Sequence, residues 1–393
     1  MSVVTNRAED RLSVQASKQS SEVADILEAS TDVIDALSGE WSVVSSCGES
    51  GEPFFQPYWF SAYARSFGGD APVVLGIARR GDAMIGVLPL QRKRSFFGGV
   101  PAQTLSSLSG PHSCRFDLCF AAGEKDAAAG ILWNTLRNDP SWQVIEALNV
   151  PQNGGFESIM RCAANDGCPI AQWRTLLTPY LEISSESPFQ NCPQRTVDRR
   201  ARLRSYYKKL EKLGNVEIVT TAEYDETLID TFIALEVSGW KGRNGGAIGC
   251  SPKVVRFYKD ALRGAAAAGH LRMQAILVGN TPVSMELGLF MNRCFYSPKF
   301  AYNEDFAKCS PGNLMNRESI RIAASHGAER YDFLGPCAPH KMLWTETVRP
   351  HANCYIFRPS IRGRFNHFFT TTIATHLRKL KYSYYGDPQK LAE

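Results

Sequence analysis

Nowhere in the 393 residues does an uninterrupted apolar stretch approach the roughly 18 residues that a spanning helix needs. The sequence therefore offers no candidate transmembrane segment. The N-terminus, MSVVTNRAEDRLSVQASKQSSEVADI, lacks an apolar h-region, so a secretory signal is not expected. Its polarity predicts disorder over residues 1–38. Eleven cysteines stand at 47, 114, 119, 162, 168, 192, 250, 294, 309, 337 and 354, with no CxxC pair and an odd total. That pattern argues against a disulfide framework and a zinc site, and no metal site is expected. Free thiols in a reducing cytoplasm fit better. Cys309 has no His near it in sequence to activate it, and reads as a small space-filling residue. Acidic residues are missing from Thr347 to Gly386, where seven Arg or Lys residues occur (349, 358, 362, 364, 378, 379, 381). Together with the run RTVDRRARLRSYYKKLEK at 195–212, this stretch is a candidate surface for phosphates of a cofactor, lipid headgroups or RNA. A solvated helix face is the plainer alternative for either run.

What is present is an ordinary globular composition, 44% hydrophobic and 21% charged with net charge +5. The length suits two domains. In the first half, EPFFQPYWFSAYARSF has helical spacing, and APVVLGIARR and AMIGVLPLQRKR read as strands joined at Gly81-Asp82. A Ser, Gly and Pro loop follows, then SCRFDLCFA as a strand, DAAAGILWNTLRN as a helix, WQVIEALNV as a strand and GFESIMRCAANDG as a helix. EISSESPFQNCPQ reads as a linker. The second half repeats the plan: helices, a hairpin turning at Gly279-Asn280, the strand CFYSPKFAYN, a helix opened by Ser310-Pro311-Gly312, and the strand ERYDFLG. NCYIFRP is expected to close that second sheet. The fold class is α/β, in two similar domains at 39–185 and 195–358, each a mixed, mostly antiparallel sheet flanked by helices.

GWKG at 239–242, FY at 257–258 and KFAYNEDFAKCSPG at 299–312 resemble the GNAT-like acyltransferases of the cellulose-biosynthesis acetyltransferase type. PFFQPYWFSAY and GVLPL in the first half share in that resemblance, which spans about residues 50–350. The family is built as tandem GNAT domains, like the Fem-type peptidoglycan transferases, and its expected donor is an acyl thioester of coenzyme A. The resemblance implies that Ser310, Pro311, Gly312, Asn313 and Leu314 replace the glycine-rich pyrophosphate loop of simpler GNAT enzymes. A helix start suits that role, because its free N–H groups and dipole attract anions. Ser310 is expected to supply an N-cap hydroxyl; ordinary capping is the alternative. Asn303 stands where relatives commonly carry Asp, so no base is placed there.

Amine acylation needs a base, an oxyanion donor and an acid for the leaving thiol. Glu304, at the end of the central strand, is the expected base, Tyr302 the acid, and Lys299 a phosphate contact or a partner that orients Glu304. The alternatives are a core tyrosine and an ordinary ion pair. Glu236 and Trp240, at i and i+4 on one helix, are expected to share a face, and with Lys241 to form a pocket wall. Asp332, His340, Lys341 and Trp344 in DFLGPCAPHKMLW form a third cluster, with His340 as a proton relay or simply exposed. In the tail, 359–393, Ile361, Phe365, Phe368, Phe369, Ile373, Leu377 and Leu380 recur as a helical stripe with Arg362, Arg364, Arg378 and Lys379 mostly off it. Such a helix either lies on an anionic membrane or packs on the second domain. Related GNAT-like proteins include bacterial ceramide synthases, so the leading expectation is an acyl-CoA-dependent transferase for a lipid amine, cytoplasmic and peripheral to the inner membrane. Acetylation of a polysaccharide or sugar, Fem-like aminoacyl transfer from tRNA, and a degenerate binding scaffold remain as alternatives.

Overall fold

The computed structural model describes residues 22–46, 51–69, 71–97 and 100–373. In chain order the first half holds β1 (Glu22–Ala29), α1 (Thr31–Ala36), α2 (Ser38–Ser46), α3 (Pro57–Phe67), β2 (Val73–Arg80), β3 (Ala83–Phe97), β4 (Val100–Ser107), β5 (Cys119–Phe120), α4 (Lys125–Asn138), β6 (Val144–Pro151), α5 (Gly155–Asn165) and β7 (Ile170–Glu182). The second holds α6 (Gln194–Glu211), β8 (Val216–Thr221), α7 (Glu226–Ser238), α8 (Trp240–Arg243), α9 (Pro252–Ala267), β9 (Leu271–Val278), β10 (Thr281–Met291), β11 (Cys294–Tyr302), α10 (Pro311–Ser325), β12 (Arg330–Asp332), α11 (Pro339–Met342), β13 (Val348–Phe357) and α12 (Ile361–Phe368).

Local chemistry explains many of these limits. Gly81 (φ 60°) and Gly279 (φ 59°) adopt the left-handed backbone that the two tight hairpins β2–β3 and β9–β10 require. Asp225 caps α7 by accepting from the amides of Thr227 and Leu228. Two sequence expectations fail here. Residues 22–38 are not disordered: β1 pairs along its whole length with β2, and α1 follows. Residues 1–21 lie outside the described residues. SCRFDLCFA is mostly loop, with strand only at Cys119–Phe120, whereas the expected loop before it contains β4. The polar Gln, Ser and Thr side chains of β4 hid it from a search for apolar alternation; Thr104, Ser106 and Ser107 are buried within the sheet.

The described strands form one sheet ordered β1-β2-β3-β4-β6-β13-β7-β12-β11-β10-β9-β8, with β5 attached to β3. Each half contributes an antiparallel meander ending in a short parallel pair, β4 with β6 and β11 with β12. The next strand of each half is exchanged. β13, the last strand, pairs with β6 of the first half, while β7 passes to β12 of the second. β13 and β7 also pair with each other across the middle. NCYIFRP therefore completes the first half's sheet, not the second's. One apolar core joins the halves: Trp59 of α3 meets Phe257 of α9 edge-on, and Phe54 meets Tyr296 of β11. A second core lies under α10 and α6.

Candidate active site

β11 and β12 run together for only three residue pairs, Cys294–Arg330, Phe295–Tyr331 and Tyr296–Asp332. They then part. β11 continues to Tyr302, while the chain after Asp332 turns away through Leu334 (φ 51°) and Gly335 (φ 58°). Asp332 Oδ1 accepts from the Leu334 amide at 2.9 Å, which fixes that turn. At the same level β11 carries a bulge: against β10, Lys299 pairs with Leu287 but Tyr296 pairs with Leu289, so Ser297-Pro298 holds one extra residue. The result is a slot between two parallel strands, with irregular backbone at its apex.

The apex is held by charges from both halves. Buried Arg115 donates to Asp332 Oδ2 at 2.5 Å and to Glu52 Oε2 at 2.7 Å, and Arg349 donates to Glu52 Oε1 at 2.6 Å. Burial alone would raise the Glu52 carboxyl, but Arg115 and Arg349 outweigh it and hold it at about 2. The loop at 108–118 thus reaches from the first half to the point where the second half's strands separate. The same loop brings His112, whose ring stacks on Phe67 and meets Tyr258 edge-on at 5.9 Å. Burial first, and the nearby Lys299, push the His112 imidazole toward its neutral form, against the opposing pull of Glu236.

In front of the slot lies a cationic cleft. Glu236, buried on α7, accepts from Lys241 Nζ at 3.1 Å and from the Ile248 amide at 2.7 Å, and stands 3.9 Å from Lys299 Nζ. Lys241 Nζ also donates to the Phe300 carbonyl at 2.6 Å. Lys299 lies over the Tyr258 ring at 5.6 Å. Lys341 Nζ donates to the Leu334 carbonyl at 2.5 Å, and burial lowers its ammonium to about 8. His340 sits at the exposed lip, its ring 6.4 Å from Phe300.

Other expected site residues stand elsewhere. Glu236 and Trp240 do not share a helix: α7 ends at Ser238, Gly239 is extended, and Trp240 opens α8 with its side chain 48% exposed. Glu304 faces that break, accepting from the Trp240 amide and from Arg243 at 2.9 Å each. The Arg243 hydrogen bond lowers its carboxyl below the usual range. Ser310 is left-handed (φ 52°) and makes no side-chain cap; its hydroxyl accepts from the Asn313 side chain at 2.9 Å. Gly312 lies so close to Phe300 that a Cβ there would stand 3.2 Å from the ring. Pro311 is buried, and Leu314 points into the core, where it can touch no surface phosphate. Trp344 packs on Phe189 in the same core and is not a cleft residue. Asp332 is taken up by Arg115 and Leu334. Tyr302 stacks on Phe300 beside the first turn of α10. Cys309 is buried in that core. The sequence reading missed Glu52, His112, Arg115 and Arg349. Arg115 and Asp117 within the largely apolar SCRFDLCF were the available signal, since a buried ion needs a partner.

Among the described residues no helix is long and apolar enough to cross a membrane. In α12, Ile361, Phe365 and Phe368 are 90%, 50% and 55% exposed, while Gly363 and Asn366 are buried and His367 rests on Phe357. That part of the stripe does not pack on the second domain. Leu377, Leu380, Arg378 and Lys379 lie outside the described residues.

Residues 197–342 match the family model of the acetyltransferase (GNAT) domain. No curated protein matches the chain in sequence. Among solved structures it is similar to FemX, at 13% identity and TM-score 0.56, covering 85% of this chain and 98% of FemX. It is also similar to L-PGS from Bacillus licheniformis (10%, 0.53, covering 87% and 96%). A further likeness is to the C-terminal domain of a putative lysylphosphatidylglycerol synthetase from Agrobacterium fabrum (7%, 0.51, covering 91% and 99%). At such identities these likenesses speak for fold.

Proposed function

Given a chain whose second half holds a GNAT-type acyltransferase domain within a FemX-like tandem fold, we propose that the protein transfers an acyl group from an acyl-CoA thioester to an amine. The observation that carries this reading is the slot between β11 and β12, with its bulge, beside His112 and a group of lysines. A thioester lying in the slot puts its carbonyl oxygen near the irregular backbone of Ser297–Lys299. Pro298 has no N–H, so the oxyanion donor falls to a neighbouring amide. The amine nitrogen attacks the carbonyl carbon and the C–S bond breaks. The surplus amine proton passes to neutral His112, and Tyr302 protonates the departing thiolate. His112 suits the base role better than Glu304, whose lowered carboxyl is held by Arg243 and the Trp240 amide. The first turn of α10, through Gly312 and Asn313, is the candidate seat of the CoA pyrophosphate.

The acceptor is proposed to be a lipid amine met at a membrane surface. Exposed Ile361, Phe365 and Phe368 of α12, flanked by Arg362 and Arg364, support peripheral contact with anionic lipid. Native mass spectrometry with acetyl-, palmitoyl- and other acyl-CoAs, followed by thiol-release assays with an amine panel, tests the reading. An acyl-CoA adduct and amine-dependent thiol release are expected. Transfer that requires charged tRNA and is abolished by RNase would overturn it in favour of aminoacyl transfer.

A further inference from the structure

Among the described residues Lys299 has no hydrogen-bonding partner, only a long ion pair with Glu236. Its side chain is only 16% exposed, yet its nearest acidic oxygen, on Glu236, is 3.9 Å away, beyond hydrogen-bond reach. Glu236 is already engaged by Lys241 and by the Ile248 amide. The other acid nearby, Asp332, is engaged by Arg115 and by Leu334. An ammonium carries three donors, and no other described residue takes up those of Lys299, whose side chain keeps some exposure.

The charge balance points the same way. Glu52 and Asp332 neutralise Arg115 and Arg349 as a closed group of four. Among the described residues that leaves Lys241, Lys299 and Lys341 with Glu236, an excess of two positive charges near His112. Burial also depresses the Lys241 and Lys341 ammoniums, against the opposing pull of Glu236 on the first and Asp332 on the second. A simple amine entering as a cation would add a third uncompensated charge in a partly dry site. An acceptor that brings its own anion relieves the excess and gives Lys299 a hydrogen-bonding acceptor.

We propose that the cleft contains an anion subsite, centred on Lys299 and flanked by Lys341, that binds a phosphate or carboxylate carried by the amine acceptor. The assignment to the acceptor rests on the acyl-transfer reading above; the anion site itself rests on the cleft's geometry. The substrate class becomes an amine with an adjoining anion, either a phosphorylated amine, lipid or free, or an amino acid.

Calorimetric titration of the full chain with inorganic phosphate, and separately with acetate, tests the subsite without any acyl donor. Saturable binding of one ion is expected, weakened about tenfold or more by Lys299→Met, retained by Lys299→Arg, and unchanged by Lys125→Met on distant α4. Phosphate binding indicates a phosphorylated amine, and acetate binding an amino-acid carboxylate. Thermal melts establish that the variants are folded. Absence of binding by both ions, or equal binding by folded Lys299→Met, overturns the subsite. Native mass spectrometry of the same samples with acyl-CoA separates the two readings. A protein that binds phosphate but no acyl-CoA keeps the anion subsite and loses the donor assignment, and the converse pattern does the reverse.

Discussion

At the scale of single residues, the ion cluster of Glu52, Arg115, Asp332 and Arg349 dominates. Removing one member of a buried pair leaves the other charge uncompensated, at a cost of about 3–5 kcal/mol. Arg115→Met is expected to destabilise the protein by that order in urea unfolding, and also to loosen the point where β11 and β12 part. Glu52 adds a pH dependence. Its carboxyl is held at about 2 in the folded protein against an ordinary 4.5, so its contribution is present above pH 4.5 and lost as pH falls toward 2. The stability gap between wild type and Glu52→Gln should therefore narrow over that window, as read by urea midpoints at stepped pH. Glu304 gives the opposite kind of test. A surface carboxylate that holds α8 contributes little, so Glu304→Gln should change turnover by less than about tenfold, where loss of a general base costs about 100- to 10,000-fold. Glu236, Lys241, Lys299, His340 and Lys341, singled out from motifs, lie near one another in the fold. His112 and Arg115 were passed over, because their significance comes from contacts far away in sequence, with Tyr258 for the first and with Glu52 and Asp332 for the second.

At the scale of elements, hairpins and helices announced by turn residues were legible, and those that depend on context were not. Gly81 and Gly279 marked their turns because only certain residues accept a positive φ readily. α7 was read through Gly239 as one helix because Gly in a helical pattern is ambiguous; the Trp240 amide bound to Glu304 settles it as a new start. β4 escaped because its buried partners are polar. α12 presents an apolar face on one side and docks by Gly363, Asn366 and His367 on the other. Flotation on anionic liposomes is expected to fall when residues 359–393 are removed, and to fall with rising salt as the Arg contribution is screened. Equal flotation with and without the tail would remove α12 from the membrane contact.

At the scale of the whole molecule, the repeated order of elements was legible, but the exchange of β7 and β13 was not. Either strand alternates in the same way whichever sheet receives it. The exchange has a testable result: fragments 1–190 and 191–393 each lack a central strand supplied by the other. Expressed alone they are expected to be insoluble or partly folded. Co-expressed, they are expected to associate and to elute together in size-exclusion chromatography. The exchange also orders events in time. β6 waits for a neighbour that lies about 200 residues further along the chain, which at roughly 5–20 residues per second takes on the order of 10–40 s to be made. Through that interval the nascent first half carries an open sheet edge, ready to pair with any strand it meets. A topology that joins the halves for life thus exposes the newborn chain to mispairing, and makes its passage off the ribosome the step at which chaperones matter most.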